Sequence, residues 1–210
     1  MTESASDDPP IIHGRTAARP ASADLQCHVR NMLAMVRALI RRTGHETATV
    51  EDYQSLLDGR VAALVRAHTA AMRDLENGVS LSLLIADEMM SFGLHQDEGF
   101  RIEGADQRLT PRAAGLTALL FHELVMLAIL RGSIVAGRSM AIGWESDPEG
   151  LRVRWREEAG ETEPDAVAAR VEWIRQAIAY DLGGSLTIEK DGESLTFTLA
   201  LPAGSLIAVR

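Results

Sequence analysis

A cysteine and a histidine stand side by side at Cys27 and His28, within a segment that has helical spacing. Adjacent residues on a helix lie about 100° apart around its axis, so the two side chains point to neighbouring faces. A thiol with the usual pKa of about 8.5 is a poor nucleophile unless something activates it. The sequence therefore favours Cys27 as a small, semi-apolar filler. It leaves His28 as the more reactive residue of the pair, or as a surface histidine on a docking face.

The other histidines and the glycines exclude several kinds of site. His45, His68 and His95 do not have the spacing of metal ligands. The chain has no Gly-x-Ser-x-Gly nucleophile turn and no phosphate-binding glycine loop. We therefore predict no metal site and no bound cofactor.

Two amphipathic helices must position the Cys27-His28 pair, because apolar residues recur at steps of three and four. The first set is Leu25, Val29, Met32, Leu33, Val36, Leu39 and Ile40, and the second is Leu57, Val61, Leu64, His68, Met72 and Leu75. Thr43-Gly44-His45 and a short polar run join the two helices. Gly44 and its neighbours can end the first helix, and Thr49 followed by Asp52 can cap the second. Since a lone hairpin has half a core, we predict that it pairs with a second copy to form a four-helix bundle.

The rest of the chain alternates between helix and strand patterns. Helices are predicted over Ser82–Phe92, Thr110–Arg131 and Glu161–Tyr180. Strands are predicted over Val79–Leu81, Phe100–Gly104, Ser139–Glu145, Leu151–Glu157, Ser185–Glu189 and Ser194–Leu201. This order indicates an α+β fold in which helices cover one side of a mixed sheet.

The composition narrows the class of protein. The chain has 210 residues, of which 46% are hydrophobic, and this is enough for one medium domain or two small ones. A net charge of −9 and a pI near 5.2 argue against a nucleic-acid partner. The single cysteine excludes an internal disulfide and indicates a cytoplasmic protein.

Two segments bear on export and membrane attachment. Residues 1–21 are rich in Ser, Asp, Pro and Ala, and they predict a disordered tail instead of a signal peptide. The longest apolar run, Leu116–Leu130, is interrupted by His122 and Glu123 and falls short of the roughly 20 residues that span a bilayer. We therefore expect no membrane anchor.

The first helix carries a family resemblance. Leu25-Gln26-Cys27-His28-Val29-Arg30-Asn31-Met32-Leu33 resembles the phosphoacceptor helix of HWE-type bacterial histidine kinases, whose pattern is Leu-Asn-His-Arg-Val-Lys-Asn-Met-Leu. The phosphorylated histidine of that family falls on Cys27, and His28 stands one place later. Four further segments are similar to family motifs in the same order: Asp58–His68, His122–Leu124, Trp155–Glu157 and Ala179–Gly184.

The resemblance implies a fold and a set of sites. The implied organisation is a disordered tail (1–21), a dimerisation and histidine-phosphotransfer-like hairpin (22–77), and an α/β sandwich of the histidine-kinase ATPase type (78–210). Nucleotide-binding positions of the family correspond to His122, Leu127, Trp155 and Glu157. Glu123 matches a residue that helps to accept the proton from the attacking imidazole in histidine kinases of similar architecture.

The departures from the family pattern all affect ATP. The family's ATP-binding helix has an asparagine that binds the Mg²⁺ bridging the phosphates, but Leu127 stands there, and Leu130 replaces a nearby lysine. Leucine has no oxygen to offer a hard cation. The glycine-rich lid corresponds to residues 168–173, which contain no glycine. The resemblance therefore implies that ATP binding is lost or very weak, and that Glu123 is a relic general base or a retained helix carboxylate.

Three functions follow from the resemblance. The first is a homodimeric pseudo-histidine kinase of two-component signalling, without kinase activity, that docks a response-regulator receiver domain through His28, Asn31, Met32 and Met35. The second is an ATP-independent histidine phosphotransferase that relays phosphoryl groups through His28. The third is an active kinase with a divergent site. An intact histidine kinase is an alternative partner.

Overall fold

The computed structural model of the chain describes residues 21–74, 76–94, 100–134, 136–137, 139–158 and 164–208. For residues 21–25, 27, 28, 164 and 166 the description covers the backbone alone. The predicted tail lies outside the described residues except for residue 21, which begins the first helix. His95 and the predicted opening of the last helix at Glu161 also lie outside them.

The predicted hairpin consists of two helices, α1 (Ala21–Glu46) and α2 (Val50–Arg73). Thr49 caps α2 as predicted, because its Oγ1 accepts a hydrogen bond from the backbone N–H of Asp52 at 3.1 Å. A cap of this kind satisfies one of the first N–H groups of the helix, which have no partner within it. The chain therefore reverses direction between the two helices within three residues, Thr47–Thr49.

The link predicted at Thr43-Gly44-His45 is wrong, because these residues belong to α1, which ends at Glu46, two residues after the glycine. The last turn is held by contacts that the local sequence does not reveal. Thr43 Oγ1 and Glu46 Oε2 accept hydrogen bonds from the guanidinium of Arg60 in α2, at 2.8 and 2.7 Å. These tertiary bonds outweigh the modest cost of a glycine inside a helix, which is about 0.5–1 kcal/mol.

The α/β part contains the remaining elements. In chain order they are β1 (Val79–Ser80), α3 (Leu81–Ser91), β2 (Phe100–Glu103), β3 (Arg108–Leu109), α4 (Pro111–Leu130), β4 (Met140–Asp147), β5 (Gly150–Glu158), α5 (Pro164–Leu182), β6 (Ser185–Asp191), β7 (Ser194–Pro202) and β8 (Leu206–Ile207). The main sheet has the order β2-β4-β5-β7-β6, in which β2 and β4 are parallel and the other neighbours antiparallel. The predicted mixed sheet of an α+β fold is confirmed.

The small sheet β1-β3-β8 was not predicted, since two of its strands had no pattern that marked them. All three strands have two residues, too few for a visible alternation. The sheet closes one end of the α/β part and brings Thr110 to the start of α4. There Thr110 accepts the N–H of Ala113 at 3.3 Å and Pro111 occupies the first turn, as predicted.

Helix α4 is the central layer of the molecule. One side packs on the sheet, where the rings of Phe121 and Trp155 lie 6.0 Å apart, and the other side meets the hairpin at Gly115. By length and composition alone α4 could cross a membrane, so the expectation that no such segment exists was too strict. However, 83% of its apolar window is buried inside the fold, as in the core helix of a globular domain.

The predicted apolar stripe of α1 divides into two in the structure. Leu39 is fully buried, whereas Val29, Leu33 and Ile40 are 40%, 55% and 43% exposed. Helix α2 meets α4 through a face of small residues that the pattern of large apolar side chains did not reveal. This face comprises Gly59, Ala63, Ala67 and Ala71, spaced four apart. One side of the hairpin is thus satisfied within the chain, and the other side is open.

Candidate functional site

Cys27 and His28 lie in the continuous helix α1, and their side chains are outside the described residues. Met32 and Met35 follow His28 at steps of four and seven, so the three residues share one face of the helix. Asn31, Met32 and Met35 line a groove of about 60 Å³ between the hairpin and α4. The other lining residues are Leu64 and His68 from α2, and Pro111, Arg112 and Gly115 from α4.

The groove brings together three of the four residues predicted to dock a receiver. The contribution of α4 to this groove was not foreseen, because the sequence alone did not place the first turn of α4 beside α1. Gly115 allows this approach, since a Cβ there would already lie 3.6 Å from Leu64 and 3.9 Å from Met35. Arg112 at the rim is bound to Asp181 at 2.5 Å.

The residues at the family's nucleotide-binding positions are buried. Their exposed fractions are 4% for His122, 6% for Leu127, 1% for Trp155 and 2% for Glu157. Trp155 Nε1 donates to Glu157 Oε2 at 3.3 Å, so these two residues form one cluster, whereas His122 points toward α3. All four side chains are thus enclosed by the protein.

An arginine that the sequence did not single out completes the Trp155–Glu157 cluster. Arg131 follows α4 directly, and its guanidinium forms an ion pair with the buried carboxylate of Glu157. Leu130, at the family's lysine position, is 63% exposed, and the positive charge of this cluster comes from the next residue, Arg131. Burial lowers the pKa of Arg131 to about 10, because a guanidinium loses hydration there. A protein cation therefore neutralises Glu157 internally.

Glu123, the predicted relic base, is bound by the hairpin. Its Oε1 accepts a hydrogen bond of 2.6 Å from Nε of Arg60, and both side chains are almost fully buried. The guanidinium also lies over the ring of Trp173 from α5, 5.3 Å from the centroid. Burial alone would lower the pKa of Arg60, but the hydrogen bonds and charges of Glu123 and Glu46 outweigh it and raise the pKa. Oε1 of Glu123 is therefore held by a guanidinium of the hairpin.

A second buried carboxylate lies next to the first. Glu88 of α3 accepts a hydrogen bond from Arg66 of α2 at 2.5 Å, and its other oxygen is 2.9 Å from Nδ1 of His122. Helix α2 approaches His122 closely because residue 59 is glycine: a Cβ there would lie 2.8 Å from Nε2 of the imidazole. His122 is thus a core histidine with a buried hydrogen-bond partner.

Part of the chain matches a known family model. Residues 24–106, which are less than half of the chain, match the model described as HWE histidine kinase. The chain is homologous to blue-light-activated histidine kinases, and the predicted resemblance is confirmed.

Two curated relatives are blue-light-activated histidine kinases. The one from Erythrobacter litoralis is 25% identical over 192 residues, which cover 88% of this chain and 53% of the relative. The one from Rhizobium johnstonii is 28% identical over 138 residues, which cover 64% of this chain and 39% of the relative. This chain therefore spans about half or less of the length of these relatives.

Solved structures give the same fold. A blue-light-activated histidine kinase of Erythrobacter litoralis superposes with a TM-score of 0.57 at 19% identity, covering 86% of this chain and 58% of that one. The isolated histidine kinase domain of that protein superposes with a TM-score of 0.51 at 16% identity, covering 83% and 100%. The fold is a helical hairpin followed by an α/β sandwich of the histidine-kinase ATPase type.

Proposed function

We propose that this chain is a pseudo-histidine kinase, which forms a homodimer and docks a response-regulator receiver domain without binding ATP. The observation that carries the proposal is Leu127, a buried side chain without oxygen at the position of the family's magnesium ligand. The Arg131–Glu157 pair supports it, because a protein cation already neutralises the carboxylate of the family's Trp-x-Glu motif. The hairpin, by contrast, keeps its helices and an open apolar surface.

Isothermal titration with ATP and Mg²⁺ tests the loss of nucleotide binding. We expect no binding heat from the wild type, while a micromolar dissociation constant would contradict the proposal. Leu127→Asn is the informative variant, because it returns an oxygen ligand to this position. A magnesium-dependent gain of ATP affinity in this variant would place the defect at residue 127.

The homodimer is proposed from the open face of the hairpin. Val29 and Leu33 of α1 are exposed on it, and Val65 and Met72 of α2 are 56% and 42% exposed at a spacing of seven. Several large apolar side chains exposed on one pair of helices mark an interaction site more often than a single exposed residue does. Pairing two copies through it would form the predicted four-helix bundle.

Sedimentation equilibrium of the wild type and Leu33→Glu tests the pairing face. The wild type should be dimeric, and the charge in Leu33→Glu should dissociate it. Leu83→Glu is the matched control, because Leu83 is 64% exposed on α3, outside the hairpin. A wild type that is monomeric at all concentrations would contradict the proposed homodimer.

Docking of a receiver domain is proposed at the groove beside Met32 and Met35. Flexible methionine side chains adapt to a partner surface, and the groove joins them to Arg112 of the α/β part. Titration with receiver domains of the same organism tests this step. We expect Met35→Glu to abolish binding by the receiver that binds the wild type, and unchanged affinity would contradict the assignment of the groove.

A phosphotransferase that acts through His28 is the second candidate, favoured by the position of this residue on the helix face that carries Met32 and Met35. Radiolabel transfer from a phosphorylated receiver should then label the wild type and Cys27→Ala, but not His28→Ala. No label in the wild type would reject this candidate. Autophosphorylation of the purified chain in labelled ATP would instead establish the third, an active divergent kinase.

We propose that the chain is divided into a hairpin and an α/β part with different roles, and that the protein is cytoplasmic. The hairpin of residues 22–77 supplies the pairing and docking surfaces, and residues 78–210 supply the α/β part on which it rests. We place the protein in the cytoplasm, where receiver domains and histidine kinases meet. An intact histidine kinase remains an alternative partner for the open hairpin face.

A further inference from the structure

One arginine joins four helices at the centre of the molecule. Arg60 belongs to α2, and its three guanidinium nitrogens donate to Thr43 and Glu46 of α1 and to Glu123 of α4. The same group lies over Trp173 of α5. Arg60 is 1% exposed, so these contacts form away from water, where charged hydrogen bonds are strong.

The acceptors of Arg60 differ in how they depend on it. Glu46 also accepts from Arg42 at 2.6 Å, so its charge stays paired when Arg60 is removed. Glu123 is 3% exposed, and Arg60 is the ion-pair partner that the described residues give it. The bond between α2 and α4 is therefore the member of this cluster that cannot be replaced locally, and it connects the hairpin to the α/β part.

A second tie on the same helix restricts rotation of the hairpin. Arg66 lies nearly two turns after Arg60 in α2 and binds Glu88 of α3. Two ion pairs at different heights of α2, one buried and one partly buried, fix both its position and its rotation on the α/β part. They hold the small-residue face of α2 against α4 and leave Val65 and Met72 exposed.

We propose that Arg60 is an interdomain latch, a positioning residue that holds the hairpin on the α/β part and so decides which hairpin face a second copy of this chain can reach. With the latch closed, Val29, Leu33, Val65 and Met72 are the available apolar surface. With the latch open, the face that contains Leu39 and Leu64 becomes available as well. The pairing consequence rests on the proposed homodimer, whereas the latch itself does not.

Hydrogen exchange of the full chain tests the latch without any partner. The variant is Arg60→Met/Glu123→Gln, which removes the ion pair without leaving a buried charge unpaired. Amide exchange in residues 60–71 of α2 should rise by about tenfold or more, since the charged hydrogen bonds from Arg60 to α1 and α4 are lost, while exchange in β5 and β7 stays at the wild-type rate. Arg73→Met, an exposed arginine of the same helix, should leave all rates unchanged.

A destabilised control separates a latch from general stability. Leu199→Ala removes a buried side chain from β7, which takes no part in the Arg60 ion pairs, and should raise exchange throughout the α/β part. The latch is overturned if the double variant exchanges like the wild type, or if it shows the uniform increase of Leu199→Ala. A selective increase in α2 supports it.

Sedimentation equilibrium of the same variants tests the consequence for pairing. We expect the dimer dissociation constant of Arg60→Met/Glu123→Gln to differ from the wild type by about tenfold, and that of Arg73→Met to be unchanged. An unchanged constant in a variant with a loosened α2 would overturn the link between latch and pairing. A monomeric wild type would refute the proposed homodimer, while the exchange experiment would still decide whether the latch exists.

Discussion

Two buried arginine–glutamate pairs involve α4 or the residue that follows it, and they connect different parts of the molecule. Arg60–Glu123 joins the hairpin to the α/β part, and Arg131–Glu157 lies within the α/β part at the family's nucleotide-binding positions. The guanidinium of Arg60 has hydrogen-bond acceptors for three nitrogens, and its pKa is raised. None of the three guanidinium nitrogens of Arg131 has a hydrogen-bond partner among the described residues, and burial lowers the pKa of this residue to about 10.

The two guanidinium groups differ in how many neighbouring side chains they hold in place. A fully satisfied guanidinium fixes its neighbours, because every donor holds one of them in place. A guanidinium whose nitrogens lack hydrogen-bond acceptors can neutralise a carboxylate, but it fixes few other neighbours. We interpret the Arg60 site as the structural centre of the protein and the Arg131 site as a nucleotide cleft closed from within.

The largest expected effect is that of Arg60→Met alone. This variant leaves Glu123 buried without its cation, so we expect the free energy of unfolding to fall by about 3–5 kcal/mol. Urea denaturation followed by circular dichroism measures it. Adding Glu123→Gln should recover most of the loss, and failure of that recovery would mean that Arg60 acts through its packing and not through the ion pair.

Glycine substitutions on the hairpin come next. Gly59→Ala places a Cβ 2.8 Å from Nε2 of His122, so we expect a loss of about 1–3 kcal/mol in unfolding free energy. Gly44→Ala is the matched control, since its Cβ would meet Tyr53 at an ordinary 3.8 Å and should stabilise α1 by about 0.4–1 kcal/mol. If both variants had the same effect, the close approach of α2 to α4 would be wrong.

The double variant Arg131→Met/Glu157→Gln should lower the free energy of unfolding less than Arg60→Met/Glu123→Gln does. The pair is incompletely hydrogen-bonded, and replacing such a pair by neutral side chains is often nearly neutral. Thermal unfolding of this variant beside Arg60→Met/Glu123→Gln measures the contrast directly. A larger loss at Arg131 would reverse the assignment of structural roles to the two pairs.

The pH dependence of Arg131→Met gives the smallest expected effect. Since the pKa of Arg131 is lowered in the folded state, the folded chain releases this proton before the unfolded chain does. The unfolded state then binds more protons, so this residue makes stability rise with pH above about 10. The urea midpoint of the wild type should therefore rise relative to that of Arg131→Met as the pH increases above about 10. Parallel curves for the two proteins would contradict a lowered pKa.

The sequence predicted the elements of the fold more completely than their contacts. The hairpin, α4 with its Thr110 cap, and the four long strands follow from apolar spacing and capping residues, which are local signals. Strands β3 and β8 were missed because two residues carry no periodicity. Gly44 was misjudged because Arg60, distant in sequence, holds the turn that contains it.

The charged centres could not be predicted in the same way. Arg60, Arg66 and Glu88 are ordinary surface residues by type, and burial of each depends on a partner in another helix. One signal was available: glycine and alanine recur every four residues from Gly59 to Ala71, which indicates a closely packed helix face. The position of His28 on α1 was predicted, and its reactivity stays a prediction.

A crystal structure of the chain grown with ATP and Mg²⁺ would decide whether the nucleotide site has been lost. We expect Leu127 in a packed core, Arg131 against Glu157, and no density for a triphosphate. An ordered triphosphate with its metal beside α4, and Arg131 displaced from Glu157, would contradict it.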